Sequence, residues 1–474
     1  MAARRHDPDS AGPAPDPHRP RVHFTPESTW MNDPNGLVLH EGRWHLFFQN
    51  NPLGSTPGNL SWGHAVSDDL ASWTHLPVAL RFSEEEWIFS GSVVHDAENR
   101  SGLGIPGDGG PLLAFYTSAY TPAHPTLPSI QAQSVAASTD GGTTWTRFSG
   151  NPVLDRGSRD FRDPKVLWHA ESARWVMVTV EAEEYELHLY TSEDLLTWEH
   201  ASVFTHPEID GGIWECPDLV HVRTGTEAEG AGASAWVLVL STNPGGPAGG
   251  SGTYTLLGDF DGRTFTTHSS PQPLDLGQDC YAAVSFSGVQ GDPVLLGWMN
   301  NWAYAAQTPT APWRSAMTLP RTLQLEADGA GDPVLVQRLV VPDGTRTVTL
   351  EEVAGGPPLD LAQPLRLHGV LPARSPWRLT LRFGDPEGDL DLVLSGDPTS
   401  GVVLDRGAAH EAPFAVEHPR SLPYVPAGGD DEVIVDLVVD RSCVEVELDR
   451  GRGTISQQVF HGTWQMSVLL QLDD

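Results

Sequence analysis

SDDLASW (67–73), STDGGTTW (138–145), SEDLLTW (192–198) and GDFDGRTF (258–265) share one pattern, an acidic or Ser-rich turn followed a few residues on by an aromatic. The closing aromatics Trp73, Trp145, Trp198 and Phe265 are spaced by 72, 53 and 67 residues. Each segment follows an apolar strand. The apolar runs of the chain are RWHLFFQ (43–49), PLLAFYTS (111–118), RWVMVTV (174–180), AWVLVLS (235–241) and PVLLGWM (293–299), each short and bounded by turn residues. Long stretches with a 3.6-residue apolar period are missing, and 48 Gly and 40 Pro break the chain into short intervals. A turn joining the outer strands of a four-stranded sheet, repeated at this spacing, is what a β-propeller requires. Four copies and a closing unit across residues 21–320 make about five blades of roughly 60 residues each. A run of unrelated hairpins in a sandwich is the alternative that the repeats alone leave open.

Tryptophan usage marks the end of that region. Fourteen of the 16 tryptophans precede residue 320, and only Trp377 and Trp464 follow it. Beyond residue 345 the segments WRLTLRF (377–383), DLDLVLS (389–395), EVIVDLVVD (432–440) and SVLLQL (467–472) alternate apolar and polar residues, the signature of a sandwich with one wet face per sheet. The expected organisation is all-β: a disordered N-terminal tail over 1–20, a five-bladed β-propeller over 21–320, a linker over 321–344 and a C-terminal β-sandwich over 345–474. The tail, MAARRHDPDSAGPAPDPHRP, carries five prolines. Arg4 and Arg5 are not followed by an apolar run, so it does not read as a secretory signal. A cytoplasmic location is expected, or secretion if a leader was removed. The sandwich lacks a dense polar and aromatic cluster, which places the chemistry in the first domain. Whether the sandwich is a homodimer surface or a clamp on the propeller stays open.

Composition narrows the partners. Sixty-two Asp and Glu against 28 Lys and Arg give a formal charge of −34, which repels phosphate backbones and anionic membrane faces, so no nucleic acid and no membrane partner is expected. A hydrophobic share of 39% with 16 Trp can fill a core, which excludes disorder for most of the chain. The three cysteines, Cys216, Cys280 and Cys443, lie far apart and form neither a disulfide framework nor a zinc site. No stretch approaches the roughly 20 apolar residues of a membrane span. Lys165 is the only lysine, a bias read as coding composition.

Three acidic residues stand in unusual local sequence: Asp33 in WMNDPNG (30–36), Asp163 in FRDPKV (161–166) and Glu215 in WECPDL (214–219). Singly, each has a structural alternative: Asp33 and Asp163 as turn formers before proline, Glu215 as a carboxyl half-buried against Trp214. A propeller, however, gathers the inner strand of every blade around one axis, so all three can converge at one end of it. Convergent carboxylates lined by tryptophans describe a carbohydrate site. Arg162 beside Asp163 is expected to keep that carboxylate ionised, suited to holding sugar hydroxyls. Glu215, flanked by Trp and near another carboxylate, is expected to have a raised pKa and act as the acid, with Asp33 as nucleophile. A separation near 5 Å would mean a retaining reaction and one nearer 6.5–9.5 Å an inverting one.

Together with FFQNNP (47–52), WGHAVSDDLASW (62–73), FSGS (89–92), GWMNNWAYAAQTPTAPWRSAMTLPR (297–321) and VDRSCVEVEL (439–448), these motifs run in an order that closely resembles glycoside hydrolase family 32, the invertases, exo-inulinases and levanases. The resemblance implies a five-bladed propeller followed by a sandwich. It also implies a covalent mechanism in which Asp33 attacks C2 of a fructofuranosyl unit, Glu215 protonates the leaving oxygen and then activates water, and Asp163 stabilises the transition state. By the same resemblance Asn32, Gln49, Phe89, Ser90 and Arg162 line the fructose subsite and Trp302 forms part of its wall. Trp62 reads as blade core, and Cys216 as a small filler that tunes the surroundings of Glu215. The substrate would be a fructan such as levan or inulin, or sucrose, with no metal and no cofactor. A fructosyltransferase is the second enzyme reading. A fructan-binding propeller without catalysis is a third, against which the intact carboxylates argue. The chain departs from the pattern at Pro57, where relatives often carry Trp, at Cys280 in QDCYAAVSF, and in VEVEL (444–448), which lacks a usual Phe; the first bears on acceptor-side specificity.

Overall fold

The computed structural model describes residues 16–224, 234–328, 331–384, 390–407, 420–426 and 431–473. An apolar run such as RWVMVTV has no wet face to offer, and Arg174–Glu181 is buried at every position after the first. That decides where these runs go. They lie in Arg43–Asn51, Leu112–Tyr120, Arg174–Glu181, Ser234–Asn243 and Val294–Met299, each the second strand of an antiparallel sheet and walled by strands on both sides. The innermost strands are Thr29–His40, Glu86–His95, Phe161–His169, Ile213–Arg223 and Tyr281–Ser285. Each packs on the next, and the fifth meets the first, closing a ring of five blades. Trp313–Arg314 runs parallel to Thr29–Trp30 and adds a further strand across the closure.

The repeated motifs are the turns between third and fourth strands of blades I to IV, for instance between Ser61–Ser67 and Trp73–Leu80 and between Glu186–Ser192 and Glu199–Phe204. Their aspartates explain the repeat. In blade III Asp194 Oδ1 accepts the N–H groups of Leu196 (2.9 Å) and Thr197 (2.7 Å), and Oδ2 accepts the Thr197 hydroxyl (3.0 Å). Asp69 does the same with Ala71 and Ser72 at 2.9, 2.7 and 3.0 Å. A carboxylate that satisfies two backbone donors in this way is a local substitute for ladder bonds. The indole N–H of Trp73 and of Trp145 then returns to the carbonyl of Leu70 (3.2 Å) and Gly142 (3.0 Å), folding the aromatic over the turn.

Antiparallel order fixes the two ends of the ring. The repeat turns lie at one end; the loops from second to third strand and the passages between blades lie at the other, where the inner strands begin.

The segment expected as a linker, 321–344, is instead largely structural. Arg321–Ala327 and Pro333–Leu339 pair with each other, and Arg321–Thr322 pairs with Val294–Leu295, so they are the outer strands of blade V. The drop in tryptophan at 320 marks a change in packing within this blade rather than its end. The sandwich begins at Arg346 and consists of two five-stranded sheets. Leu367, Val435 and Val446 of one sheet and Leu379, Phe383 and Leu394 of the other fill its core.

The expected tail, 1–20, needs a correction as well. Residues 1–15 lie outside the described residues, but 16–20 are held between the domains. Arg19 lies over the Trp313 ring at 4.6 Å and donates to Thr25 Oγ1 (2.8 Å), while Arg441 of the sandwich donates to the carbonyls of Asp16 (3.0 Å) and Arg19 (2.8 Å). Proline content gave no sign of these contacts, because their partners are remote in sequence. Between the domains, Arg321 is fully buried and donates to Asp275 (2.7 Å) from the propeller and to Glu445 (2.9 Å) and Ser456 (2.6 Å) from the sandwich.

Candidate active site

Every inner strand carries a β-bulge. Met31–Pro34 lies opposite Asn50–Phe48, Ile88–Gly91 opposite Ser118–Tyr116, and Arg162–Lys165 opposite Val180–Val178, three steps against two in each case. Glu215–Asp218 faces Ser241–Val239 and Tyr281–Val284 faces Trp298–Leu296 in the same way. The extra residue bends the strand and re-aims its side chains, which is how bulges serve active sites. Asn32 and Asp33, Phe89 and Ser90, Asp163, Cys216 and Ala282 all fall inside these bulges. Asp163, Cys216 and Ala282 adopt left-handed φ values of 62°, 47° and 51°. For residues with a Cβ that conformation is held by surrounding structure rather than preferred. Gly91 is required in blade II, because a Cβ there would lie 2.0 Å from the Phe115 carbonyl oxygen.

The bulges bring the three acidic residues together around Cys216. Asp33 Oδ2 accepts Ser90 Oγ (2.6 Å) and the Cys216 thiol (3.4 Å), and Asp33 Oδ1 accepts Asn32 Nδ2 (3.1 Å). Asn32 is itself oriented by Trp30 Nε1 (2.7 Å). Asp163 Oδ2 accepts the backbone N–H of Cys216 (2.9 Å), and the Asp163 N–H donates to Thr117 Oγ1 (2.8 Å). Cys216 is thus more than a filler beside Glu215: its N–H and its thiol touch both aspartates.

Glu215 is held from two sides. Arg162 Nη1 donates to Oε1 (3.2 Å), and the Tyr281 hydroxyl donates to Oε2. Burial raises its pKa; the Arg162 charge and the Tyr281 bond pull it down, and the Asp33 charge pushes it up. Burial likewise raises Asp33, against the bonds from Ser90, Asn32 and Cys216. Asp163 departs from expectation. Burial and the Glu215 charge lift its carboxyl to about 7, and Arg162 only partly offsets them. The reason is direction. The guanidinium of Arg162 reaches Glu215 and Asp160 (2.5 Å) rather than its sequence neighbour.

Trp302 lies on the loop after the second strand of blade V, at the end of the ring where the inner strands begin. Its ring meets Trp30 at 5.7 Å and Trp298 at 5.0 Å, and its N–H donates to Ser251 Oγ (3.1 Å). Phe89 shares the bulge of Ser90, and its carbonyl accepts Trp62 Nε1 (2.9 Å). Trp62 is fully buried, so it belongs to the blade core. Gln49 lies one strand outward from the carboxylates, paired across from Trp62 and buried. Below the carboxylates Lys165 Nζ donates to Asp218 Oδ2 (2.9 Å), the Ser285 carbonyl (2.7 Å) and Ser285 Oγ (3.1 Å). A compact ammonium satisfies three acceptors there that a planar guanidinium does not match, so the only lysine does structural work. Tyr281 went unread in the sequence. Its only signal was its place in QDCYAAVSF, a segment noted for Cys280, which is buried in the core between blades IV and V.

A carboxyl whose pKa burial raises, in one cluster with a second carboxylate fixed by hydrogen bonds, is the equipment of a glycosidase. The ring of five bulged strands with its attached sandwich makes this a propeller glycosidase. Residues 23–338 match the model of the glycosyl hydrolases family 32 N-terminal domain, and the chain belongs to that family. It is 46% identical to the extracellular exo-inulinase of Aspergillus ficuum over 94% of this chain and 90% of that protein. It is 45% identical to the levanase of Bacillus subtilis, over 65% of this chain and 45% of the relative. The crystal structure of exo-inulinase from Aspergillus awamori superposes with a TM-score of 0.82 at 34% identity, covering 96% of each chain. The Aspergillus ficuum relative is extracellular by name, so the cytoplasmic expectation draws no support from it.

Proposed function

We propose that the chain releases terminal β-D-fructofuranosyl units from fructans of the inulin or levan type, and from sucrose, with retention of configuration at C2. One observation carries the reading: Glu215, clamped by Tyr281 and Arg162, stands in the same cluster as an Asp33 whose carboxylate is fixed by Ser90, Asn32 and Cys216. Asp33 Oδ2 already serves two donors, which leaves Oδ1, with its single bond from Asn32, as the attacking atom. As the Oδ1–C2 bond forms, the C2–oxygen bond to the leaving sugar breaks and takes the Glu215 proton. Glu215, now a carboxylate, takes a proton from water, which attacks C2 and frees Asp33. Asp163, with Asn32, Gln49, Phe89, Ser90 and Arg162, holds the fructose unit, and Trp302 walls it. The relatives' names support fructan as substrate, and exo action in particular. The exo-inulinase relative is extracellular by name, and secretion is part of the proposal.

The test is a product profile on inulin, levan, sucrose and sucrose 6-phosphate, with methanol added in a parallel reaction. Fructose as the only product released stepwise from inulin and levan, fructose with an equal amount of glucose from sucrose, and methyl β-D-fructofuranoside when methanol is present, are the expected results. The α-anomer would refute retention, short oligosaccharides would mean endo attack, and lengthened products would mean transfer. Glu215→Gln should retain the fold and lose release of sugars with poor leaving groups.

A further inference from the structure

The C-terminal sandwich reaches the underside of the active site through a buried arginine and the backbone of Gln458. Arg406, 1% exposed, follows the strand Gly401–Asp405. Its Nη1 donates to the Gln458 carbonyl (3.1 Å), Tyr304 Oη (3.3 Å) and Asp279 Oδ2 (3.5 Å), and its guanidinium stacks 5.1 Å from the Tyr304 ring centre. The Tyr304 hydroxyl donates to the other oxygen of Asp279, and the sandwich N–H of Gln458 donates to Asp279 Oδ2 (2.8 Å).

Both propeller residues that Arg406 grips stand two positions from the site. Asp279 is separated from Tyr281, the donor to Glu215, by Cys280 alone. Cys280 is 2% exposed and packed so that a Cβ on Gly297 would come 3.0 Å from its sulfur. A three-residue span pinned in this way leaves the Tyr281 hydroxyl little freedom. Tyr304 lies two residues after Trp302, and its N–H donates to the Asn301 carbonyl (3.1 Å). The Asn301 amide in turn ties the carbonyls of Gly249 (3.1 Å), Ser251 (3.0 Å) and Gln278 (2.9 Å) into one platform below Trp302.

We propose that Arg406 is a positioning residue for fructose release: from the sandwich it braces Asp279 and Tyr304, and so sets the Tyr281 hydroxyl against Glu215 and Trp302 against the sugar. This rests on the reading of Glu215 as the acid. The charged and titratable groups facing Glu215 are Arg162, Tyr281, Asp33, Asp163 and the Cys216 thiol, and Arg406 acts on one of them, Tyr281. The Tyr281 bond favours the charged form of Glu215, so loosening it moves the basic limb of the activity profile to higher pH.

The experiment compares Arg406→Met, Arg406→Lys, Tyr304→Phe and Tyr281→Phe in the full chain, with kcat, KM and the pH profile of fructose release from inulin. Since a displacement of an ångström can cost on the order of 100-fold in rate, Arg406→Met should lose at least 10-fold in kcat. It should also shift its basic limb the same way as Tyr281→Phe and raise KM through Trp302. Arg406→Lys, which keeps the charge and loses the fork, should recover only part. If Arg406→Met fails to fold, Tyr304→Phe removes the hydroxyl relay while leaving the ring packed, and should show the same shift. Arg338→Met, which cuts an ion pair to Glu447 (3.6 Å) at the same domain boundary, should lower stability and leave the pH profile alone. Folded Arg406→Met or Tyr304→Phe with wild-type kcat, KM and pH profile would overturn the proposal. A wild-type chain that frees no fructose would instead overturn the activity reading.

Discussion

Asp163 occupies the costliest position in the site: enclosed, at φ 62°, and beside the charge of Glu215. Its folded pKa of about 7 against an ordinary 3.8 makes the folded chain hold a proton that the unfolded chain has lost. Stability therefore falls as pH climbs from 3.8 towards 7. Asp163→Asn keeps the shape and removes that penalty. Activity should drop on the order of 100-fold or more, the cost of losing a charge that opposes positive charge developing at C2. The melting temperature should match wild type near pH 4 and exceed it at pH 8. A variant that melts below wild type at pH 8 would show that the carboxylate stabilises the fold. At this scale the three acidic residues were legible, because each stands in odd local sequence. The raised pKa of Glu215 was legible too, but the electrostatics of Asp163 were not. Arg162 adjoins Asp163 in sequence yet serves Glu215, 53 residues away, and Tyr281 meets Glu215 across 66 residues.

Two kinds of element divide the blades. Bulges at the start of the inner strands serve the chemistry, and Asp-based turns between the outer strands serve the fold. The turns were readable because their hydrogen bonds join residues two or three apart, so the pattern that makes them is written locally. Blade V was missed at its outer edge because its last turn lacks the closing aromatic of the repeat, although Asp328 Oδ1 there accepts the Asp332 N–H (2.9 Å). The bulges were not readable, since a bulge is a mismatch between two strands and appears only when both are paired. The division predicts a clean separation. Asp194→Ala removes two backbone hydrogen bonds and those from the Ser192 and Thr197 hydroxyls at the end of blade III far from the carboxylates. It should cost roughly 1–2 kcal/mol for bonds of this kind on a half-exposed turn, seen as a lowered midpoint in urea with kcat and KM unchanged. A fall in kcat for the folded variant would show that the turns communicate with the site.

The whole molecule carries a charge of −34, yet its two domains meet over buried ion pairs rather than apart from them. Glu445 lies in VEVEL, where the usual Phe is missing, and it joins Arg321 at 2.9 Å and His23 at 3.1 Å. His23 also contacts Asp440 at 3.0 Å, and the Asp440 carboxylate accepts the N–H groups of Arg21, Val22 and His23 at 2.8, 2.8 and 3.2 Å. The N-terminal strap is thus fastened to the sandwich by the Asp440 carboxylate and the His23 imidazole as well as by Arg441. Burial alone would strip the proton from His23, but its bonds to Asp440 and Glu445 outweigh burial and raise the pKa from 6.5 to about 9. The stabilisation is fully present below 6.5 and is lost as pH rises through 9, because the unfolded chain releases this proton first. Asp440 and Glu445 titrate below their ordinary 3.8 and 4.5, so their share is present above those values and is lost in acid. The clasp therefore has a working range from weakly acidic to weakly alkaline pH. His23→Leu leaves two buried carboxylates short of a cation and should cost about 3 kcal/mol or more. Thermal unfolding between pH 6 and 10 is the measurement. Wild type should lose stability across the interval from 6.5 to 9 in excess of the variant, and the two curves should converge above it. Parallel curves across that interval would mean that His23 is neutral in the folded chain, and that the strap is held without its charge.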